Sequence, residues 1–81
     1  MLNIKVRYFA MFRELTGRSE EELKVEAGET AGRVYQRLAE TYAFPLKREE
    51  VRVAVNDEFT GFDRLLAAGD RLVFIPPVSG G

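Results

Sequence analysis

The sequence predicts an α+β domain in which a mixed sheet of four to five strands carries one long helix across one face. Three observations lead there. Several short segments alternate apolar and polar residues with the period of two that marks a half-buried strand, whereas one segment has apolar residues at helical spacing and so a single face to bury. The chain has only 81 residues, near the lower end of what one hydrophobic core supports, and shows neither a repeat nor a linker.

The elements follow in order. Leu2 to Phe9 alternates, with Leu2, Ile4, Val6 and Tyr8 on the core face and Asn3, Lys5, Arg7 and Phe9 on the other. Ala10 to Thr16 reads as a short helix closed by Gly17, which suits the left-handed position after a helix end, with Phe12 and Leu15 turned inward. Glu20 to Glu26 alternates again with Leu23 and Val25 inside, and its acidic start reads as a solvated edge guarded against strand addition. Thr30 caps the long helix, Ala31 to Tyr42, on which Val34, Leu38 and Tyr42, flanked by Ala31 and Tyr35, form the apolar stripe.

Phe44-Pro45-Leu46 stops that helix and Lys47 to Glu50 forms a charged loop. Val51 to Asn56 is the next strand, with Val51, Val53 and Val55 inward, and Asn56-Asp57-Glu58 turns the chain into Phe59 to Phe62, a short edge strand or irregular segment. Asp63 caps a brief turn holding Leu65 and Leu66, and Ala68-Gly69-Asp70 leads into the last strand, Arg71 to Ile75. There Leu72 and Phe74 have core parity and Val73 and Ile75 oppose them. Strand, short helix, strand, long helix, strand, turn region, strand is the order of a β-grasp, or ubiquitin-like, fold. The last strand is then expected beside the first, in the middle of the sheet. The domain spans residues 1–75, and 76–81 form a flexible tail.

The tail is the most telling segment. Pro76 and Pro77 lack N–H donors and end sheet pairing, and Val78-Ser79 leads to Gly80-Gly81. Without a Cβ the two glycines can thread a slot too narrow for side chains, and the six residues from Pro76 can extend roughly 20 Å. A strand that delivers a bare glycine carboxylate in this way suits chemistry performed on the terminal carbon by an external active site. The plainer reading is a frayed end.

Composition excludes much else. The chain has no Cys and no His, so thiolate catalysis, His general bases, Ser-His-Asp triads and Cys/His metal sites are all out of reach. Twelve basic against thirteen acidic residues give a net charge of −1, which supplies no global attraction to nucleic acid or to an anionic membrane. The start lacks a charged leader with an apolar core and no run reaches membrane-spanning length, so a cytoplasmic protein is expected. The adjacent carboxylates Asp57/Glu58 and Glu49/Glu50 read as solvated turn residues. Gly28 and Gly32 lack the Gly-Lys-Ser/Thr ending of a phosphate loop, so the chain is not expected to bind ATP by itself.

Strand parity supplies one further feature. Phe9 and Ile75 fall on the sheet face away from the helix, in strands expected to be neighbours, with Val73 behind Ile75 and Phe59 at the rim. Apolar residues exposed together at the base of a tail suggest a docking surface; cover by a loop, or isolated exposed hydrophobics, is the alternative.

Val6-Arg7-Tyr8-Phe9-Ala10, Arg13-Glu14-Leu15, Gly17, Val55-Asn56, Gly69-Asp70 and the ending from Phe74 to Gly81 together resemble the small, sulfur-carrying subunit of molybdopterin synthase. The likeness runs the length of the chain and is most specific in Pro-Pro-Val-Ser-Gly-Gly and in the Tyr-Phe-Ala block. The resemblance implies that Gly81 is adenylated by a ubiquitin-activating-type enzyme using ATP and converted to a thiocarboxylate with sulfur from a donor such as a cysteine desulfurase or rhodanese-like protein. It further implies that Pro76, Pro77, Val78, Ser79 and Gly80 thread into a large subunit, in a heterotetramer, where the sulfur passes to cyclic pyranopterin monophosphate. Phe9, Phe59 and Ile75 match the family's apolar contact positions, and no cofactor or metal is held by the chain alone. With no cysteine to carry it, the sulfur has only the terminal carbon to occupy. Three rivals remain: the same carrier chemistry serving thiamin, cysteine or tRNA thiolation, a ubiquitin-like modifier joined to lysines, and a plain interaction module with an inert tail.

Overall fold

The computed structural model describes residues 1–77; the site residues Val78, Ser79, Gly80 and Gly81 lie outside the described residues. Five strands, β1 (Leu2–Tyr8), β2 (Glu20–Val25), β3 (Arg52–Val55), β4 (Glu58–Thr60) and β5 (Arg71–Ile75), form one sheet in the order β2-β1-β5-β3-β4. β1 and β5 run parallel and every other pair is antiparallel. The helices are α1 (Met11–Thr16) and α2 (Ala31–Tyr42), with a short 3₁₀ turn at Arg48–Glu50. This is the ubiquitin-like β-grasp, with β5 at the centre of the sheet as its position after the long helix predicts.

The core forms where the inward set of the sheet meets the stripe of α2. Ile4, Val6, Tyr8, Leu23, Val25, Val53, Val55, Leu72 and Phe74 face Ala31, Val34, Tyr35 and Leu38, and Phe12, Phe44, Val51 and Leu66 close the ends. Phe12 and Phe74 are wholly buried, and both rings meet Tyr35 edge-on, at 6.2 and 5.2 Å between centroids. Fully burying an apolar side chain of this kind stabilises by about 1.5–3 kcal/mol, so this aromatic contact anchors α1 and β5 to the same point on α2. Thr30 caps α2 through its hydroxyl, which accepts from the Arg33 N–H at 3.2 Å.

Polar contacts fix the turn that precedes β5. The Asp70 carboxylate is buried and accepts from the Ala67 N–H at 2.7 Å and from Asn56 Nδ2 at 2.9 Å, while Asn56 Oδ1 accepts from the Arg71 N–H at 3.0 Å. Asn56 and Asp57, both at positive φ (53° and 71°), make the two-residue β3–β4 hairpin whose twist matches its strands. Phe59 thereby lies in a true strand.

Some local expectations are corrected. Leu15 does not turn inward: α1 has fewer than two turns and meets the core through Phe12, leaving Met11 half-buried and Leu15 exposed. Leu65 is likewise exposed, its backbone bridging to Thr30, and only Leu66 of that turn is buried. The acidic start of β2 is not uniformly solvated, because Glu21 accepts from the hydroxyls of both Tyr8 and Tyr42.

Candidate docking face and tail exit

The side of the sheet away from α2 is built by the outward residues of every strand, and cross-strand register arranges them in rows. One row runs Phe59, Ala54, Val73, Arg7, Glu20 from β4 to β2. The next holds Arg52 directly opposite Ile75. Phe9 follows Tyr8, the partner of Phe74, and so sits at the end of β1 beside the stretch where β5 reaches Ile75. Phe9 is 47% exposed and Phe59 65%, while Val73 and Ile75 are half-buried and Ala54 is buried. Of the predicted contact residues, Phe9 and Ile75 therefore flank the tail exit together. Phe59 stands two strands from β5, connected to Val73 through Ala54.

Local backbone geometry presents Phe9. The next residue, Ala10, has φ 50° and ψ −123°, a conformation that a Cβ disfavours, and the carbonyl of Phe9 accepts from the Phe12 N–H at 2.9 Å. The chain leaves β1 through this sharp turn, and the Phe9 ring remains outside the core while Phe12 enters it. Nothing in the sequence marks Ala10 for that conformation, since glycine is the residue expected there.

Pro76 is half-buried and Pro77 exposed, both beyond the last paired residue of β5. They border a shallow groove of about 220 Å³ together with Glu49, Glu50, Val51, Arg52 and Ile75. Another groove, about 410 Å³, lies beside α2 between Gln36, Ala39, Leu46 and Arg48 and shares Glu49 with the groove at the tail exit. Among the described residues no cluster of His, Cys, Asp or Glu could hold a metal ion. None of the chain's helices is long and apolar enough to cross a membrane, again among the described residues.

Charge is distributed unevenly over the outer face. The outward positions of β1, β5 and β3 carry Lys5, Arg7, Arg71 and Arg52 and no carboxylate, and acids appear only toward the edges, at Glu20 and Glu22 on β2. The guanidinium of Arg52 rests 5.8 Å from the centre of the Phe59 ring. The period-two parity that places Phe9 and Ile75 on this face places Lys5, Arg7, Arg71 and Arg52 there as well.

Fold and site define a ubiquitin-like domain whose central strand hands a proline-led tail to the edge of an apolar and basic sheet face. The chain belongs to the ThiS family, whose model matches residues 6–81. It is 39% identical to the molybdopterin synthase sulfur carrier subunit of Arabidopsis thaliana over 99% of this chain and 84% of that protein. The molybdopterin synthase sulfur carrier subunit of Escherichia coli is 36% identical over 96% of this chain and 99% of that protein. Among solved structures, small archaeal modifier protein 1 of Methanosarcina acetivorans aligns with a TM-score of 0.78 at 28% identity, covering 100% of this chain and 98% of its own. A chain from the complex of subunits 1 and 2 of the Helicobacter pylori molybdopterin-converting factor shares the fold, with a TM-score of 0.69 at 21% identity, 99% of this chain and 100% of that one being covered.

Proposed function

We propose that this chain is the sulfur carrier subunit of a molybdopterin synthase, bearing its reactive group at the carboxylate of Gly81. The observation that carries the reading is the match to sulfur carrier subunits over nearly the whole chain, within a family model that extends through Gly80-Gly81. The chemistry agrees. A carboxylate resists nucleophiles because neither oxygen leaves readily, and joining one oxygen to AMP supplies a leaving group. A sulfur nucleophile can then displace AMP and leave a thiocarboxylate. The chain has no Cys to hold sulfur and no Gly-Lys-Ser/Thr phosphate loop, so in this reading both steps fall to partner enzymes: an adenylyltransferase that consumes ATP, and a sulfur donor.

In this reading the face around Phe9, Val73, Ile75 and Phe59 seats the large synthase subunit, and the segment from Pro76 to Gly80 threads toward its active site. There the sulfur passes to cyclic pyranopterin monophosphate. The two-subunit Helicobacter pylori complex, containing a chain of this fold, supports such a partner.

The test is direct. Incubation with the adenylyltransferase, ATP and a sulfur donor should exchange one terminal oxygen for sulfur, read by intact-mass spectrometry. The thiocarboxylated form, unlike the plain carboxylate, should then convert cyclic pyranopterin monophosphate to molybdopterin with the large subunit. An unchanged mass while the enzyme activates another carrier would refute the carrier role. The likeness to a small archaeal modifier protein supports one second reading, conjugation to lysines, and dominant lysine conjugates in the same incubation would favour it.

A further inference from the structure

Of the four cations that β1, β5 and β3 present on the outer face, two are neutralised and two are not, and Lys24 stands apart on edge strand β2. Lys5 pairs with Glu20 at 4.0 Å and Arg71 with Asp57 at 3.2 Å. Both pairs lie toward the end of the sheet where β5 begins. Glu20 stands opposite Arg7 in register yet turns its carboxylate to Lys5. Arg7 and Arg52, the cations nearest the tail exit, form no ion pair among the described residues and are exposed. They straddle β5, with Arg7 beside Val73 and Arg52 beside Ile75.

We infer that Arg7 and Arg52 form a two-point guanidinium clamp for carboxylates on the surface of the protein that docks on this face. The inference rests on the docking role given to the face above and adds what that role does not specify, the charge of the partner. Spacing argues for a protein surface over a single small anion. The two residues are separated by two strand spacings and offset by two residues along β5, so their Cα atoms stand roughly 12 Å apart, too far to converge on one phosphate. Two separate acceptors on a facing surface match that span.

Each arginine is also held for the purpose. Arg52 rests against Phe59, which limits the rotamer freedom it would lose on pairing, and Arg7 rises from the paired interior of β1. A guanidinium offers a planar fork that suits a carboxylate, and it does so next to Val73 and Ile75, where docking would exclude water and strengthen the pair. In a chain whose net charge is −1, gathering unpaired cations here steers an acidic partner toward the tail's exit.

The experiment measures association of the chain with the large synthase subunit from the same organism, across a range of salt concentrations. Arg7→Glu combined with Arg52→Glu should slow association by at least on the order of tenfold and flatten its salt dependence, with melting temperature nearly unchanged. Arg7→Lys with Arg52→Lys should keep most of the salt dependence. A charge-matched control on the helix side, Arg33→Glu with Lys47→Glu, should change little. Equal losses in the control, or unaltered association and salt dependence in the Arg7/Arg52 charge reversal, would overturn the clamp and leave the docking role standing. Failure of the unmodified chain to bind the large subunit at all would remove the docking role and the clamp with it.

Discussion

The hydroxyl of Tyr8 donates to Glu21 Oε1 at 2.7 Å, tying central strand β1 to edge strand β2 from inside the domain. Tyr42, at the last turn of α2, donates to the same oxygen at 2.9 Å, and Arg18 approaches the other carboxylate oxygen at 3.5 Å. One carboxylate thus joins β1, the edge strand and the end of the long helix. The rings of Tyr8 and Tyr42 meet edge-on, 6.3 Å between centroids.

This junction sets an alkaline limit to stability. Burial, and then the hydrogen bond to Glu21, push the Tyr8 phenol well above its ordinary pKa of 10.0, and the same two causes raise Tyr42. Tyr35 is raised by burial and by the nearby Glu50. A folded-state pKa above the unfolded value means that the folded protein holds these protons more tightly. The contribution is therefore fully present below about pH 10 and is lost as pH climbs beyond it. Melting temperature should fall from that point upward, and tyrosinate absorbance should rise together with loss of circular dichroism. Substantial tyrosinate in the still-folded protein would contradict the shifts.

Phe9 should separate docking from folding. Because its ring is half exposed and outside the core cluster, Phe9→Asp is expected to shift stability by no more than about 0.5 kcal/mol, whereas as an aromatic hot spot it should cost at least about 2 kcal/mol in binding to the large subunit. Calorimetric titration beside thermal melts distinguishes the two. A variant that melts much lower yet binds normally would move Phe9 out of the interface.

Ala10 carries strain that a single substitution can release. A residue with a Cβ in a sparsely populated conformation costs of order 1–3 kcal/mol, and glycine gives back roughly 0.5–1 kcal/mol of that in unfolded-chain entropy. Ala10→Gly should therefore raise the melting temperature by a few degrees, at about 4–8 °C per kcal/mol for a domain of this size. A lower melting temperature would show that the turn beside Phe9 is unstrained.

Much of the candidate face was legible in the strands because period-two alternation is strict. Once Tyr8 and Phe74 were assigned to the core, Phe9 and Ile75 had to face the other way, and the structure sets them side by side where β1 and β5 end. Parity also fixed Arg7 and Arg52 on that face. It could not reveal which cations find partners, since the ion pairs join residues from different strands and turns.

By itself the sequence determined the order of elements, the α2 stripe, the core parity of β1, β3 and β5, the absence of any thiol or imidazole, and the proline-led glycine ending, all of which depend on residues close together in the chain. The tertiary structure decided what depends on residues far apart. Glu21 looks like one of three solvated acids until Tyr8 and Tyr42 reach it from elsewhere in the fold. Gly32 looks like a weak point in a helix, yet a Cβ there would meet Arg48 Nη1 at 2.6 Å and the Phe62 carbonyl oxygen at 3.1 Å, the same oxygen that accepts its N–H at 2.8 Å. Leu15 has the hydrophobicity of a core residue, but Phe12 fills the contact between α1 and the core and leaves Leu15 in solvent. Periodicity specifies which way a side chain points within its own element; only the packed fold specifies what it meets there.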